Sequence, residues 1–165
     1  MLHIYVDADA CPVKPEIYRV ASRYDLAVTL VANSRMRVPG DGRVTLELVG
    51  DGFDAADDWV VGHVEPRDIV VTADVLLASR CVAKGASVIG PTGEPFTESN
   101  IGQAVATRDL LSELRGAGEL TGGPAPLTDR DRSRFLQGLD TQIQAMRRKT
   151  PNLPQRRSSA EHTQT

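Results

Sequence analysis

Short apolar runs alternate with stretches of helical periodicity from residue 2 to residue 89, and this alternation constrains the fold more than any other feature of the chain. Residues 2–6, 26–32, 69–72 and 86–89 read as strands, and the run 26–32 is apolar enough to be covered on both faces. Residues 44–49 alternate in polarity and read as a short strand at a sheet edge. Residues 12–24 carry Ile17, Val20, Ala21 and Tyr24 at helical spacing, with prolines near the start, where a missing N–H is harmless. Residues 54–64 and 74–84 read as further helices, the second ended by Gly85. Residues 33–43 form a loop that holds Arg35, Arg37 and Arg43, and Gly50-Asp51-Gly52 forms a turn. Strands that alternate with helices imply an α/β fold, with a mostly parallel central sheet flanked by helices and right-handed crossovers.

The second half of the chain changes character. Residues 97–115 place Ile101, Val105, Leu110, Leu111 and Leu114 at helical spacing. A Gly/Pro loop follows over residues 119–126, sharpest at Thr121-Gly122-Gly123-Pro124. Thr128 opens another helix, with Asp131 three residues on as an imperfect capping box and Phe135, Leu136, Leu139 and Ile143 as the apolar stripe. From about Arg147 the chain is basic, rich in Pro, Ser and Gln, and without periodicity, which predicts disorder. The expected organisation is one α/β domain over residues 1–148, with a helical C-terminal extension at 97–148, followed by a disordered basic tail at 149–165.

Composition narrows the function classes. Of 165 residues, 41% are hydrophobic but only 4% aromatic, so the core must be aliphatic. A formal net charge of −3 supplies no global basic field for nucleic acid and leaves room for a local basic rim. Cys11 and Cys81 do not make a disulfide framework, and Cys81 is expected to pack as a small hydrophobe. His3, His63 and His162 lack zinc-ligand spacing. Asp7 and Asp9 interrupt the N-terminal apolar run, so it does not read as a signal peptide, and no stretch approaches the ~20 apolar residues of a membrane span. The expected address is the cytoplasm, with no membrane association.

The chemistry sits in the aspartates. Asp7 and Asp9 directly follow the first strand, Asp74 follows a later one, and Asp54, Asp57 and Asp58 stand where a helix begins. In an open parallel sheet the carboxyl ends of the strands face one crevice, and ligands bind there. Taken singly, Asp74 and the helix-start aspartates are explained as well by capping and by the helix dipole. Two aspartates at one strand end and three at i, i+3, i+4 are explained less well, because like charges repel. Converging carboxylates raise one another's pKa, and a hard cation removes that penalty. Mg²⁺ or Mn²⁺ suits such oxygen donors together with phosphate. An uncoordinated aspartate is then available as general base toward water. Asn33, Ser34, Arg35 and Arg37 should rim the same crevice, with both arginines able to grip phosphate, and Lys14 is placed to do likewise. Cys11 reads as packing rather than as a nucleophile, because adjacent carboxylates oppose thiolate formation.

At these residues the sequence resembles a known family. Val6-Asp7-Ala8-Asp9-Ala10-Cys11-Pro12-Val13-Lys14, Asp54-Ala55-Ala56-Asp57-Asp58-Trp59, Val71-Thr72-Ala73-Asp74, Gly122-Gly123-Pro124 and Asp131-Arg132-Ser133-Arg134-Phe135-Leu136 resemble the uncharacterised bacterial YaiI/YqxD family over roughly residues 1–148. The fold of that family looks similar to PIN-like and NYN nucleases, in which aspartates after the first and a later strand and acidic residues on a central helix bind Mg²⁺ or Mn²⁺. The resemblance implies Asp7 and Asp74 as metal ligands. Gly52-Phe53-Asp54 resembles the Gly-Val-Asp element of NYN domains and favours Asp54, with Asp58 next and Asp57 after it; Asp7, Asp9, Asp58 and Asp74 are the expected catalytic set.

The leading expectation is therefore a divalent-metal-dependent nuclease acting on RNA. One alternative is a non-catalytic module that binds RNA, a protein partner or a second copy of the chain. Another is a phosphatase of the haloacid-dehalogenase type, since Asp7-Ala8-Asp9 resembles its nucleophile and acid pair and Ser34 follows the second strand.

Overall fold

The apolar runs become the strands of one six-stranded sheet in the computed structural model, which describes residues 2–52, 54–118 and 126–149. The strands are β1 (His3–Asp7), β2 (Ala27–Ala32), β3 (Val44–Leu48), β4 (Ile69–Val71), β5 (Ser87–Ile89) and β6 (Pro95–Phe96). Their order is β3-β2-β1-β4-β5-β6; the first five pair in parallel and β6 is antiparallel to β5. The alternation of strand and helix thus yields the α/β fold it implies. β3 is an edge strand, as its alternating polarity predicts.

Helices cover both faces, so the central strands are apolar on both. The helices are α1 (Lys14–Tyr24), α2 (Ala55–His63), α3 (Val75–Ala83), α4 (Ile101–Gly116) and α5 (Asp129–Lys149). On one side Ile4, Val6 and Leu30 of the sheet meet Ile17 and Val20 of α1 and Phe135, Leu139 and Ile143 of α5. On the other, Val31, Val70 and Val88 meet Val60 of α2 and Leu77, Ala78 and Cys81 of α3. Leu30 and Val31 go to opposite sides, as the two-residue period of a strand requires. Cys81 is fully buried, as its helical position predicts.

The helix ends follow local chemistry. Thr128 Oγ1 accepts from the Asp131 N–H at 3.0 Å, and Asp131 Oδ2 accepts from the Thr128 N–H at 3.1 Å, a complete reciprocal cap at the start of α5. Those contacts with Thr128 hold the Asp131 carboxyl below its usual range. Asp74 caps α3, accepting from Leu76 and Leu77 N–H at 2.9 and 3.3 Å. Residues 119–125 of the glycine-proline loop signal lie outside the described residues, and so does the basic tail expected at 149–165 except for Lys149, which is the last residue of α5.

The sequence signal misses β6. It is two residues long and begins with a proline, which offers no N–H to a ladder and so belongs at an edge. The turn before it fixes α5. Gly93, at φ +92°, lies under the backbone of α5, and a Cβ there would come 2.5 Å from the Arg134 carbonyl oxygen. Gly138 faces it, and its Cβ would come 2.8 Å from the Gly93 carbonyl oxygen.

Gly93→Ala and Gly138→Ala should each destabilise the fold by about 1–3 kcal/mol, the range for overpacking a close contact. Gly102→Ala, on the open surface of α4 with nothing near the new methyl, should stabilise by about 0.5–1 kcal/mol. Urea denaturation midpoints of the three variants check both signs.

Candidate functional site

The register of the two central strands sets the site. Val6 pairs with Val71, so Asp7 of β1 and Thr72, just past β4, leave the sheet side by side. Thr72 is nearly fully buried, and its hydroxyl donates to Asp7 Oδ2 at 2.8 Å. Thr72 Oγ1 in turn accepts from the Asp74 N–H at 2.9 Å. One side chain therefore links Asp7 to the first turn of α3. Burial pushes the Asp7 carboxyl above its usual range, the Thr72 bond opposes that, and the charges of Asp74 and Asp9 add to it. Thr72 lies outside the site residues expected from sequence; its signal was a hydroxyl residue closing an otherwise apolar strand.

The acidic start of α2 approaches from the neighbouring crossover. Asp54 stands just outside the helix in a left-handed conformation, φ 67°, and makes no side-chain cap. Asp57 is half-buried, and its carboxyl is pushed up to about 6, first by burial and then by the charges of Asp74, Asp7 and Asp54, against a smaller opposing effect of Arg80. Asp58 goes elsewhere: it is exposed and pairs with Arg80 of α3 at 2.9 Å. Of the three aspartates at i, i+3, i+4, the one that shares its field with Asp7 and Asp74 is Asp57, which sequence reasoning ranked last. Asp54 is not in the helix, so the three do not share one helical face.

The basic loop leaves β2 at the same sheet edge. Asp9 Oδ2 accepts from the Asn33 N–H at 2.8 Å, and Asp9 Oδ1 from the Ser34 hydroxyl at 3.4 Å. Asn33 in turn donates through Nδ2 to the Gly50 carbonyl at 2.7 Å. Arg35 and Arg37 are exposed and make no hydrogen bond or ion pair among the described residues. Lys14 donates to the Cys11 carbonyl at 3.0 Å, which ties its ammonium to the loop after β1. Cys11 packs against the core and burial pushes its thiol up, in keeping with a packing role.

The donor set is oxygen only, which suits Mg²⁺ or Mn²⁺ rather than zinc. Asp7 uses one oxygen on Thr72 and Asp74 one on the helix start, so each carboxylate keeps an oxygen free. Yet no group of three or more His, Cys, Asp or Glu among the described residues is gathered closely enough to hold an ion. The described residues therefore form no cage preformed from protein alone. A cleft of about 490 Å³ lies elsewhere, lined by His3, Tyr5, Glu65, Pro66, Arg67 and Asp68 at the amino ends of β1 and β4. The aspartates are at the carboxyl ends, where parallel sheets bind ligands, so the acidic edge is the candidate site.

Fold and candidate site together define a mostly parallel α/β protein with aspartates gathered at the carboxyl edge of its sheet, beside a basic loop. The chain belongs to the family described as "Uncharacterized BCR, YaiI/YqxD family", which it matches over residues 5–145. It is 56% identical over 151 residues to a UPF0178 protein of Rhodopseudomonas palustris (strain HaA2), covering 92% of each chain. It is 57% identical over 145 residues to one from Bradyrhizobium sp. (strain ORS 278), covering 88% of each, and 53% identical over 147 residues to one from Nitrobacter winogradskyi, covering 89% of this chain and 94% of that one. No solved structure matches the chain. Among the described residues no helix is long and apolar enough to cross a membrane.

Two consequences are measurable. Thr72→Val keeps the volume but removes the hydroxyl, leaving Asp7 and the Asp74 N–H without that partner; stability should fall by about 1–3 kcal/mol, read as a lower denaturation midpoint. The second concerns pH. The folded protein holds the Asp57 proton more tightly than the unfolded chain, so protonation favours folding. This contribution is complete below the ordinary aspartate range near 3.8 and is lost as pH rises through about 6. After discounting for solvent screening of this partly exposed group, it amounts to about 1 kcal/mol. Asp57→Asn should flatten the stability profile between pH 4 and 6 and raise Tm at pH 7, as thermal melts across that range would show.

Proposed function

We propose that this protein is a divalent-metal-dependent phosphodiester hydrolase that acts on RNA, with its site at Asp7, Asp57 and Asp74. The observation that carries the reading is the elevated Asp57 carboxyl, raised first by burial and then by three other aspartates, one each from the end of β1, the start of α2 and the start of α3. Negative potential concentrated at a sheet's carboxyl edge favours a cation. Mg²⁺ commonly binds through one or two carboxylates and completes its shell with substrate phosphate and water. The likeness to PIN-like and NYN nucleases belongs to this proposal and points the same way.

Within it, the chain's own groups have distinct tasks. Asp7 and Asp74, each with one carboxylate oxygen left unbonded, would hold a Mg²⁺ or Mn²⁺ ion, with Asp54 as a further candidate ligand. Such an ion, when bound, neutralises charge on the phosphate and lowers the pKa of water. Asp57 makes no hydrogen bond among the described residues, so its carboxylate is the group left to accept a proton from water. Asp58 is held by Arg80 and takes no part. Arg35 and Arg37 receive the strand.

The absence of a preformed three-ligand group among the described residues supports a second reading, a module that binds RNA or a protein without cleaving it. The phosphatase alternative loses support from Asp9, which that chemistry needs as a free acid and which here is bonded to Asn33 and Ser34.

Calorimetry with Mn²⁺ separates the readings. The hydrolase requires micromolar to millimolar binding that Asp7→Asn and Asp74→Asn abolish, together with Mn²⁺-dependent cleavage of labelled RNA lost in Asp57→Asn. No heat of Mn²⁺ binding to the pure protein would end this reading and leave the binding module.

A further inference from the structure

We infer that Asp9 is a positioning residue that latches the loop after β2 so that Arg35 and Arg37 meet adjacent phosphates of one nucleic-acid strand; the inference rests on the same site as the proposed hydrolase.

The latch is visible at three points. Asp9 binds the Asn33 N–H and the Ser34 hydroxyl, one with each carboxylate oxygen. Asn33 reaches on to the Gly50 carbonyl, beyond the end of β3. The loops after β1, β2 and β3 are thus joined in one chain of hydrogen bonds. The connection from β2 to β3 contains no helix to stiffen it, in contrast to the other parallel connections of the sheet. Its fixed points must come from such bonds and from packing.

Packing supplies the rest. Met36 and Val38 are partly buried against the core, while Arg35 and Arg37 are exposed. Inward and outward residues alternate, as in an extended chain, where residues two apart on one side stand about 6.6 Å apart. Six other arginines are committed to carboxylates: Arg23 to Asp140, Arg43 to Asp25 and Asp41, Arg80 to Asp58, Arg108 to Asp109, Arg132 to Glu16 and Arg134 to Asp131, while Arg19, Arg67, Arg115 and Arg130 have no ion pair among the described residues but do not stand on the loop after β2. Arg35 and Arg37 have no such partner among the described residues. Two uncommitted guanidinium groups on an anchored extended segment, beside an acidic crevice, suit consecutive phosphates of a strand laid along the rim.

The test uses the full chain and a fluorescein-labelled oligouridylate, read by anisotropy in EDTA so that strand binding is measured without metal. Arg35→Ala/Arg37→Ala should weaken binding about tenfold or more, and the slope of log K against log salt should shrink by about 1.4, the value for two phosphate contacts on a single strand. Asp9→Ala should give the same losses, with no further loss when the three changes are combined. Asp9→Asn keeps an acceptor for the Asn33 N–H and should retain binding within about threefold, while circular dichroism confirms that each variant is folded. The Mn²⁺ affinity of Asp9→Ala should stay that of the wild type. If Asp9→Ala abolishes Mn²⁺ binding and leaves strand binding intact, Asp9 is a ligand and the inference is overturned. It is equally overturned if the arginine changes leave strand binding unaltered, or if the wild type binds no strand. Strand binding by a wild type that takes up no Mn²⁺ would remove the hydrolase reading and uphold the latch.

Discussion

The parallel pairing of β1 with β4 is the constraint on which the rest of the structure depends. It is the point where the strand order turns, with β2 and β3 on one side and β5 and β6 on the other. The register that places Val6 beside Val71 buries both on the α1/α5 face and brings Asp7 beside Thr72. A slip of one residue would turn Ile4 and Val6 toward the other face and break the contact between Asp7 and the Thr72 hydroxyl. Core and crevice are therefore specified by the same alignment, and neither can drift without the other.

That alignment gathers charge that the fold must tolerate. Two of the aspartates are partly relieved by neutral groups: Asp7 by a hydroxyl, Asp74 by backbone N–H groups at the start of α3. Asp57 has no such relief and carries the elevated carboxyl. The cost is borne by an aliphatic core on two faces, where fully buried side chains such as Phe135, Ile4, Ile17, Leu30 and Leu77 each contribute about 1.5–3 kcal/mol. Like charges gathered in this way cost stability until they are compensated.

Much of the fold was legible in the sequence because its signals are periodic. The five parallel strands, the five helices and the cap at Thr128 follow from spacing and from residue types with strong local preferences. β6 was not legible: two residues carry no period, and its existence depends on β5 being there to pair with. The candidate site was legible only as a position, since Asp7 and Asp74 lie at the ends of apolar runs that the alternation with helices reads as parallel strands. It was not legible on α2. There Asp54 stands outside the helix in a left-handed conformation, Asp57 shares the field of Asp7 and Asp74, and Asp58 meets Arg80. Nor could composition tell that the Asp9 carboxylate is occupied by a loop residue twenty-four positions on, because that contact exists only once β1 and β2 lie side by side.

The place of α5 in the chain bears on how the protein is made. Phe135, Leu139 and Ile143 share with α1 the cover of one side of the sheet, yet they are synthesised after every strand they shield. Until those residues leave the ribosome, the part of that side which α1 does not cover lies open to water or to whatever else is apolar nearby. The nascent chain thus passes through a long window of stickiness, closed only when the last described helix swings across and seats on the glycine turn at residue 93.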